Sequence, residues 1–149
     1  VGQVYVGYVY GDSTAGQAAV YGLGLSGVPI INVNNNCATG SSALFLARQA
    51  VASGMVDCAL ALGFEQMVPG ALGATFTDRP NPMKRMFKEM VELQGVDKQA
   101  PGAAQYFGGA GREYTEQYGT RPETFAKIAE KARQHGANNP YAVFWEKHL

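Results

Sequence analysis

Cys37 stands where an extended apolar segment gives way to a helical one, within NVNNNCATGSSALFLARQA at residues 32–50. A thiol at the start of a helix meets the positive end of the helix dipole and unpaired backbone N–H groups, which favour a thiolate and bind a developing oxyanion. Small residues follow at positions 38–42, so a substrate carbonyl could approach the backbone. The alternative is that Cys37 is a small buried hydrophobe beside a tight turn. Spacing alone leaves both interpretations open.

The order of elements around Cys37 predicts an α/β fold with a parallel sheet. Three apolar segments have the composition of buried strands: residues 3–10, 28–33 and 57–65. The connections read as helices, one Ala-rich and capped by Asp12, Ser13 or Thr14, the other starting near Thr39 or Ser41. This βαβαβ order would place Cys37 at the carboxyl edge of the sheet, where open α/β folds bind ligands.

The helix after Cys37 carries its apolar residues at positions that share one face: Ala43, Leu44, Ala47, Ala50 and Val51. We expect that face to pack on the sheet, and we expect Gly54 to end the helix. The other cysteine, Cys58, lies in the third strand segment and is predicted to be a core residue. Two cysteines are too few for a disulfide framework.

After residue 69 the sequence is rich in glycine, proline and charge, which predicts loops and short helices. The clearest helix begins at Thr120–Glu123, whose spacing is that of a capping box, with Pro122 in its first turn and Gly136 as its stop. We therefore divide the chain into a core segment, residues 1–69, and a loop and helical region of the same domain, residues 70–149.

Charge and hydropathy exclude two classes of partner. The 149 residues contain 12 Lys and Arg against 12 Asp and Glu, so the formal net charge is zero. No overall field would attract nucleic acid or an anionic membrane surface. Every apolar stretch is broken before the ~18 residues that a membrane span needs. We expect neither nucleic-acid binding nor a membrane span, and no metal site is predicted.

Two motifs resemble the thiolase superfamily: NNNCATGSSAL around Cys37, and ALALGFEQM about twenty residues later. The NNNCATG form is most similar to the sterol carrier protein branch of that family. The order of elements from Val4 to Met67 resembles the family too, as do QYFGGAGREYTEQYG and NNPYA more loosely. The resemblance implies a partial thiolase-like βαβαβ half with an appended helical loop region, and hence a fragment of a longer enzyme.

In that family a cysteine takes the acyl group of a 3-oxoacyl-CoA as a thioester and passes it to CoA. The resemblance implies that Cys37 is this catalytic nucleophile in fatty-acid or sterol side-chain degradation, with CoA as co-substrate and no other cofactor. It also implies that Phe107 and Gly108 line the acyl-binding site, with ordinary loop packing as the alternative. Glu65 matches a glutamate that we interpret as a structural hydrogen-bonding residue near the site.

A basic run, Lys84, Arg85 and Lys88, lies in the segment where the family contacts CoA, although such runs are usually solvated helix faces. The family's histidine in a GHP motif and its second catalytic cysteine belong to a second half that these residues do not contain. Neither His135, at the end of a helix, nor His148 replaces them.

The resemblance further implies a homodimer in which strand 30–33 pairs with its twin, acyl-CoA and CoA as partners, and a peroxisomal location in a eukaryote or a cytoplasmic one in a bacterium. Two alternatives stay open. One is a condensing ketosynthase of the same superfamily. The other is a non-catalytic, dimerising or lipid-transfer-associated module that lacks the second catalytic half.

Overall fold

A computed structural model describes residues 1–73 and 76–145, which form three strands and five helices. The elements in chain order are β1 (Gln3–Gly7), α1 (Ala15–Tyr21), β2 (Ile30–Val33), α2 (Thr39–Ala52), β3 (Ala59–Gly63), α3 (Lys84–Gln94), α4 (Gly102–Tyr118) and α5 (Glu123–Ala137). The α/β class and the predicted βαβαβ order are confirmed. The chain divides into two compact units, Val1–Thr77 and Asp78–Leu149. The assignment of 1–69 and 70–149 to one domain stays a prediction.

The first unit is built on a parallel sheet whose strand order is β2-β1-β3. Successive side chains of a strand point to opposite faces, so β1 serves two cores. Val4 and Val6 are 2% and 0% exposed and pack with Val20 of α1 on one face. Tyr5 packs against α2 on the other face. The continuous apolar composition of β1 therefore reflects burial on both sides.

The buried face of α2 is narrower than the sequence predicts. Ala43, Ala47 and Ala50 are buried against Tyr5, as expected. Leu44 and Val51 are exposed at 64% and 43%, so the prediction was wrong for these two positions. The small alanine side chains let α2 lie close to the sheet. The larger side chains of Leu44 and Val51 are exposed to solvent.

The strands are shorter than the predicted segments, and α1 starts without the predicted side-chain cap. β1 ends at Gly7, and α1 ends at Tyr21 with Gly22 as its C-cap. The expected cap is absent from α1: Thr14 has a φ of 67° and makes no side-chain bond to the helix. Instead Ala15 N donates to the carbonyl oxygen of Asp12 at 3.1 Å, so a backbone turn opens the helix.

The second unit contains α3, α4 and α5. The sequence predicts loops and short helices in this region, and QYFGGAG lies within a helix that is longer than predicted, the 17-residue α4. Gln105 fixes the turn before it by accepting from Asp97 N at 2.9 Å and donating to the carbonyl oxygen of Ala100 at 2.7 Å. Within the described residues of this unit, the buried hydrophobic side chains are Met90 and Ala137.

The start and stop of α5 also differ from the prediction. The capping box does not form: α5 follows Pro122 with no side-chain cap. The Glu123 carboxylate accepts from Arg121 Nε at 3.2 Å instead. The helix continues through Gly136 to Ala137 because Gly136 keeps a helical conformation, and Asn138 is the C-cap.

Candidate active site

Cys37 lies in the turn that joins the carboxyl end of β2 to the start of α2, and its side chain is exposed. This is the edge of the parallel sheet at which α/β folds place their ligands. The interpretation of Cys37 as a buried hydrophobe is therefore wrong. The thiol is open to solvent in the first unit.

The turn before Cys37 has an unusual backbone. Asn36 has a φ of 48°, in the left-handed region that residues other than glycine seldom occupy. Its N–H donates to the Asn34 side-chain oxygen at 3.1 Å. Thr39 Oγ1 accepts from Asn35 N at 2.9 Å and donates to the Asn36 carbonyl oxygen. The segment that carries the thiol is thus held by local polar contacts.

Glycines let α2 begin close to the sheet. A Cβ at Gly7 would lie 2.8 Å from Thr39 Cγ2 and 2.9 Å from the Thr39 carbonyl oxygen. A Cβ at Gly63, the register partner of Gly7, would lie 3.8 Å from Gly40 Cα. The first turn of α2 therefore rests on the carboxyl ends of β1 and β3. Cys37 lies two residues before Thr39, so this packing limits where the turn that carries Cys37 can lie.

Backbone donors follow directly after Cys37. Thr39 N donates to the carbonyl oxygen of Asn36 at 3.1 Å, and Ser42 N donates to that of Ala38 at 2.9 Å. The N–H groups of the intervening residues 40 and 41 meet no acceptor within residues 1–73 and 76–145, as expected for the open end of a helix. Such donors can stabilise negative charge on an oxygen near the thiol.

Glu65 joins the two loops that follow β1 and β3. Its carboxylate accepts from Val9 N at 2.9 Å and from Tyr10 N at 3.1 Å. Beside it, the rings of Tyr8 and Phe64 stack with centroids 5.3 Å apart. The predicted hydrogen-bonding role of Glu65 is confirmed, and its two bonds fix the loops at the edge that carries Cys37.

A shallow cavity lies at the same edge, between the ends of β1 and β2. Its volume is ≈ 200 Å³, and its walls include Tyr8, Ser13 and Asn34. Asn34 also accepts the hydrogen bond from the left-handed Asn36, so the cavity borders the turn that carries the thiol. Cys37 itself is not among the residues that line the cavity.

Cys58 is not the core residue that its sequence predicts. It precedes β3, and its side chain is exposed. Its carbonyl oxygen accepts from Gly2 N at 2.8 Å, which places it at the amino end of the sheet. Because Cys37 lies beyond the carboxyl ends of the strands, the two thiols are at opposite edges and do not form a pair.

The remaining predicted residues belong to the second unit. Phe107 and Gly108 lie in the middle of α4, with Phe107 74% exposed. A role for either in substrate binding stays a prediction. His135 lies in the last turn of α5, as the sequence predicts. His148 falls within residues 146–149, outside the described part of the chain.

The basic run forms ion pairs along its own helix. Arg85 bonds Glu89 at 2.8 Å, and Lys88 lies 3.6 Å from Glu92, both at i,i+4 spacing on exposed side chains. These contacts are those of a solvated helix face, which is the usual role of such a run. Within residues 1–73 and 76–145, no group of three His, Cys, Asp or Glu side chains could hold a metal ion.

Sequence reasoning missed Gly7 and Thr39, which position the start of α2. The signal for Gly7 was its place at the end of a buried strand, where a glycine often marks a close backbone approach. The signal for Thr39 was the NNNCAT string, because asparagines accept left-handed conformations and threonine bonds nearby backbone groups.

Comparison with known proteins agrees with this geometry. Residues 1–148 match the family described as thiolase, N-terminal domain. The chain belongs to the thiolase family. It is 57% identical over 149 residues to "Sterol carrier protein 2" of Gallus gallus, covering 99% of this chain and 27% of the relative. The match to "Non-specific lipid-transfer protein-like 2" of Caenorhabditis elegans is 45% identical over 95% of this chain and 35% of the relative.

A more distant relative carries the family name itself. "Benzoylsuccinyl-CoA thiolase subunit BbsB" of Thauera aromatica is 32% identical over 97% of this chain and 35% of its own length. This thiolase-family chain thus spans about a third or less of the curated relatives reported. No helix within residues 1–73 and 76–145 has both the length and the apolar character for crossing a membrane.

Proposed function

We propose that this chain is the nucleophile-bearing part of a thiolase-type acyltransferase that cleaves 3-oxoacyl-CoA and transfers the acyl group to CoA. The observation that carries the proposal is the exposed Cys37 at the start of α2, followed by open N–H groups. Membership of the thiolase family agrees with this chemistry. The sterol and lipid names of the relatives favour fatty-acyl or sterol side-chain substrates.

In the proposed reaction the Cys37 thiolate attacks the 3-oxo carbon, a C–S bond forms, and the carbonyl electron pair moves onto oxygen. The open N–H groups of residues 40 and 41 donate to that oxyanion. As the carbonyl re-forms, the C2–C3 bond breaks and its electron pair stays on C2. That carbon takes up a proton and leaves as acetyl-CoA or propionyl-CoA. The thiol of CoA then attacks the thioester, and Cys37 regains its proton.

Two proton transfers in this scheme need further groups. One base removes the thiol proton, and one acid protonates C2. We infer that these groups lie in a second half of the protein, because the chain spans 27% of the length of the chicken relative. CoA is a co-substrate in this scheme, and no resident cofactor is needed. Phe107 and Gly108 are proposed to contact the acyl group.

Acyl transfer to Cys37 is tested by incubating the full-length protein with a 3-oxoacyl-CoA and mapping the adduct by mass spectrometry. We expect the adduct on Cys37 and none on Cys58, which is also exposed and serves as the internal control. Cys37→Ala should abolish acyl transfer, whereas Cys58→Ala should keep it. Normal turnover by Cys37→Ala would show that another group is the nucleophile.

We further propose a homodimer in which β2 pairs with its copy. β2 is an edge strand, and edge strands offer unpaired backbone groups to another chain. On its inner side, the carbonyl oxygens of Pro29 and Val33 accept hydrogen bonds from the N–H groups of residues 4 and 8. Alternate residues face opposite sides, so the N–H of Asn32 faces away from β1.

Asn32→Pro removes that outward donor and leaves the hydrogen bonds between β1 and β2 in place. Its matched control is Asn32→Ala, which loses the same side-chain bond to Gln17 but keeps the N–H. We expect Asn32→Pro to weaken dimerisation by tenfold or more in sedimentation experiments and Asn32→Ala to leave it intact. Equal dimer affinity for the two variants would contradict pairing through β2.

Two other readings lead to different measurements. A non-catalytic module is favoured by the lipid-transfer name of one relative, and it would bind lipid without forming a Cys37 thioester. A ketosynthase would condense acyl units, but the thiolase family match favours cleavage.

Animal relatives favour the peroxisomal location that the resemblance implies, and imaging of the tagged full-length protein tests it.

A further inference from the structure

Thr39 is the one buried polar residue in the described part of the chain, with 5% of its surface exposed. Its hydroxyl accepts from Asn35 N at 2.9 Å and donates to the carbonyl oxygen of Asn36. Both partners are backbone groups of the turn that leads to Cys37. One side chain therefore ties the two residues before the thiol to the first turn of α2.

Asn36 is the residue that this hydroxyl restrains. A φ of 48° is unfavourable for a residue with a side chain and persists only where the surroundings hold it. The Asn36 carbonyl oxygen accepts from both the N–H and the hydroxyl of Thr39, and its own N–H donates to Asn34. The conformation of Asn36 sets the direction in which the chain enters Cys37.

The sheet fixes the orientation of the Thr39 side chain. Its methyl group lies over Gly7, where an added Cβ would come within 2.8 Å of it. A β-branched side chain has a stiff χ1 angle, so the placement of the methyl group also places the hydroxyl. The contact with Gly7 and the two hydrogen bonds of the turn are thus satisfied by the same orientation.

We propose that Thr39 is a positioning residue for Cys37, whose hydroxyl holds the left-handed turn at Asn36 and thereby keeps the thiol beside the open N–H groups of α2. This inference rests on the proposed function of Cys37. Thr39 acts through the backbone and does not contact the substrate. Its loss should therefore lower the rate of acyl transfer without changing the apparent affinity for acyl-CoA.

The experiment compares Thr39→Val, which keeps the shape and loses the hydroxyl, with Thr39→Ser, which keeps the hydroxyl. Two rates are measured in the full-length protein: acylation of Cys37 by a 3-oxoacyl-CoA, and alkylation of Cys37 by iodoacetamide relative to Cys58. We expect Thr39→Val to lower acylation by about tenfold to hundredfold at unchanged KM, since Asn35 N loses its acceptor and the turn at Asn36 loses the restraint of the hydroxyl. Thr39→Ser should stay within about threefold of wild type.

The outcomes separate this inference from the proposed function. No adduct on wild-type Cys37 refutes the proposed function, and the alkylation ratio still reports on Thr39. A normal adduct with equal rates for wild type and Thr39→Val overturns the positioning role alone. Equal losses in Thr39→Val and Thr39→Ser would also overturn it. If Thr39→Val does not fold, Thr39→Ser against Thr39→Ala gives the same comparison, because both lack the methyl group.

Discussion

Replacing Gly7 with alanine is expected to displace the start of α2 and to slow acylation of Cys37. The new Cβ would lie 2.8 Å from Thr39 Cγ2 and 2.9 Å from the Thr39 carbonyl oxygen. The second contact is with backbone, so a side-chain rotation cannot relieve the clash. The first turn of the helix has to move away from the sheet.

The size of the effect follows from these distances. Carbon atoms in normal contact lie about 3.5 Å apart, so α2 must retreat by about 0.7 Å at Thr39. Overpacking of this kind costs about 1–3 kcal/mol of folding free energy. A misplacement of about 1 Å at a reacting group can cost ~100-fold in rate. We expect acylation of Cys37 to fall by about tenfold or more.

Gly63→Ala is the matched control, since Gly63 is the register partner of Gly7 on β3. Its added Cβ would meet Gly40 Cα at 3.8 Å, an ordinary contact, and neither glycine has a positive φ. The assay is single-turnover acylation by a 3-oxoacyl-CoA, followed by intact mass, together with thermal unfolding of each variant. If the two alanine variants acylate at the same rate, the close approach at Gly7 does not position the thiol.

Three further predictions concern other sites. Cys58→Ala should change the free energy of unfolding by less than about 0.5 kcal/mol, because the side chain is exposed, and a larger loss in denaturant titration would contradict that placement. Glu65→Ala should cost about 1 kcal/mol through the two lost loop contacts, with Glu65→Gln costing less in the same titration. The Arg79 guanidinium holds the pKa of Asp78 below its ordinary 3.8, so Arg79→Gln should raise that pKa in an NMR titration, and an unchanged value would refute the pairing.

Residue patterning predicted the sheet better than the helices around it. The three strands are short apolar runs between turn residues, and their apolar side chains pack in both clusters, one on each face of the sheet. Helix limits depend on weaker local effects. Thr14 and Thr120 look like caps in sequence, yet neither makes a cap bond, because backbone turns open both helices. The α4 segment contains four glycines, three of them after its first residue, and this composition did not indicate a helix of 17 residues.

The sequence predicted the central residue of the candidate site but not the residues that position it. Cys37 was identifiable because it lies between a predicted strand and a predicted helix, within the NNNCATG motif. Gly7 lies thirty residues earlier, and only the parallel pairing of the strands brings it under Thr39. The sequence pattern also did not predict the exposure of Cys58. β3 begins at Ala59, so a shift of one residue in the start of the strand places Cys58 in the turn before it.

The central place of β1 has a consequence for folding during synthesis. β1 is synthesised before its partner β3, and the hydrogen-bonded residues Val9 and Glu65 are 56 positions apart in the chain. At about 5–20 residues per second, that delay is about 3–11 s. During this time the edge of β1 that pairs with β3 lacks this partner. The nascent chain is therefore open to misassembly until the loop after β3 closes over the end of β1 and completes the edge beside Cys37.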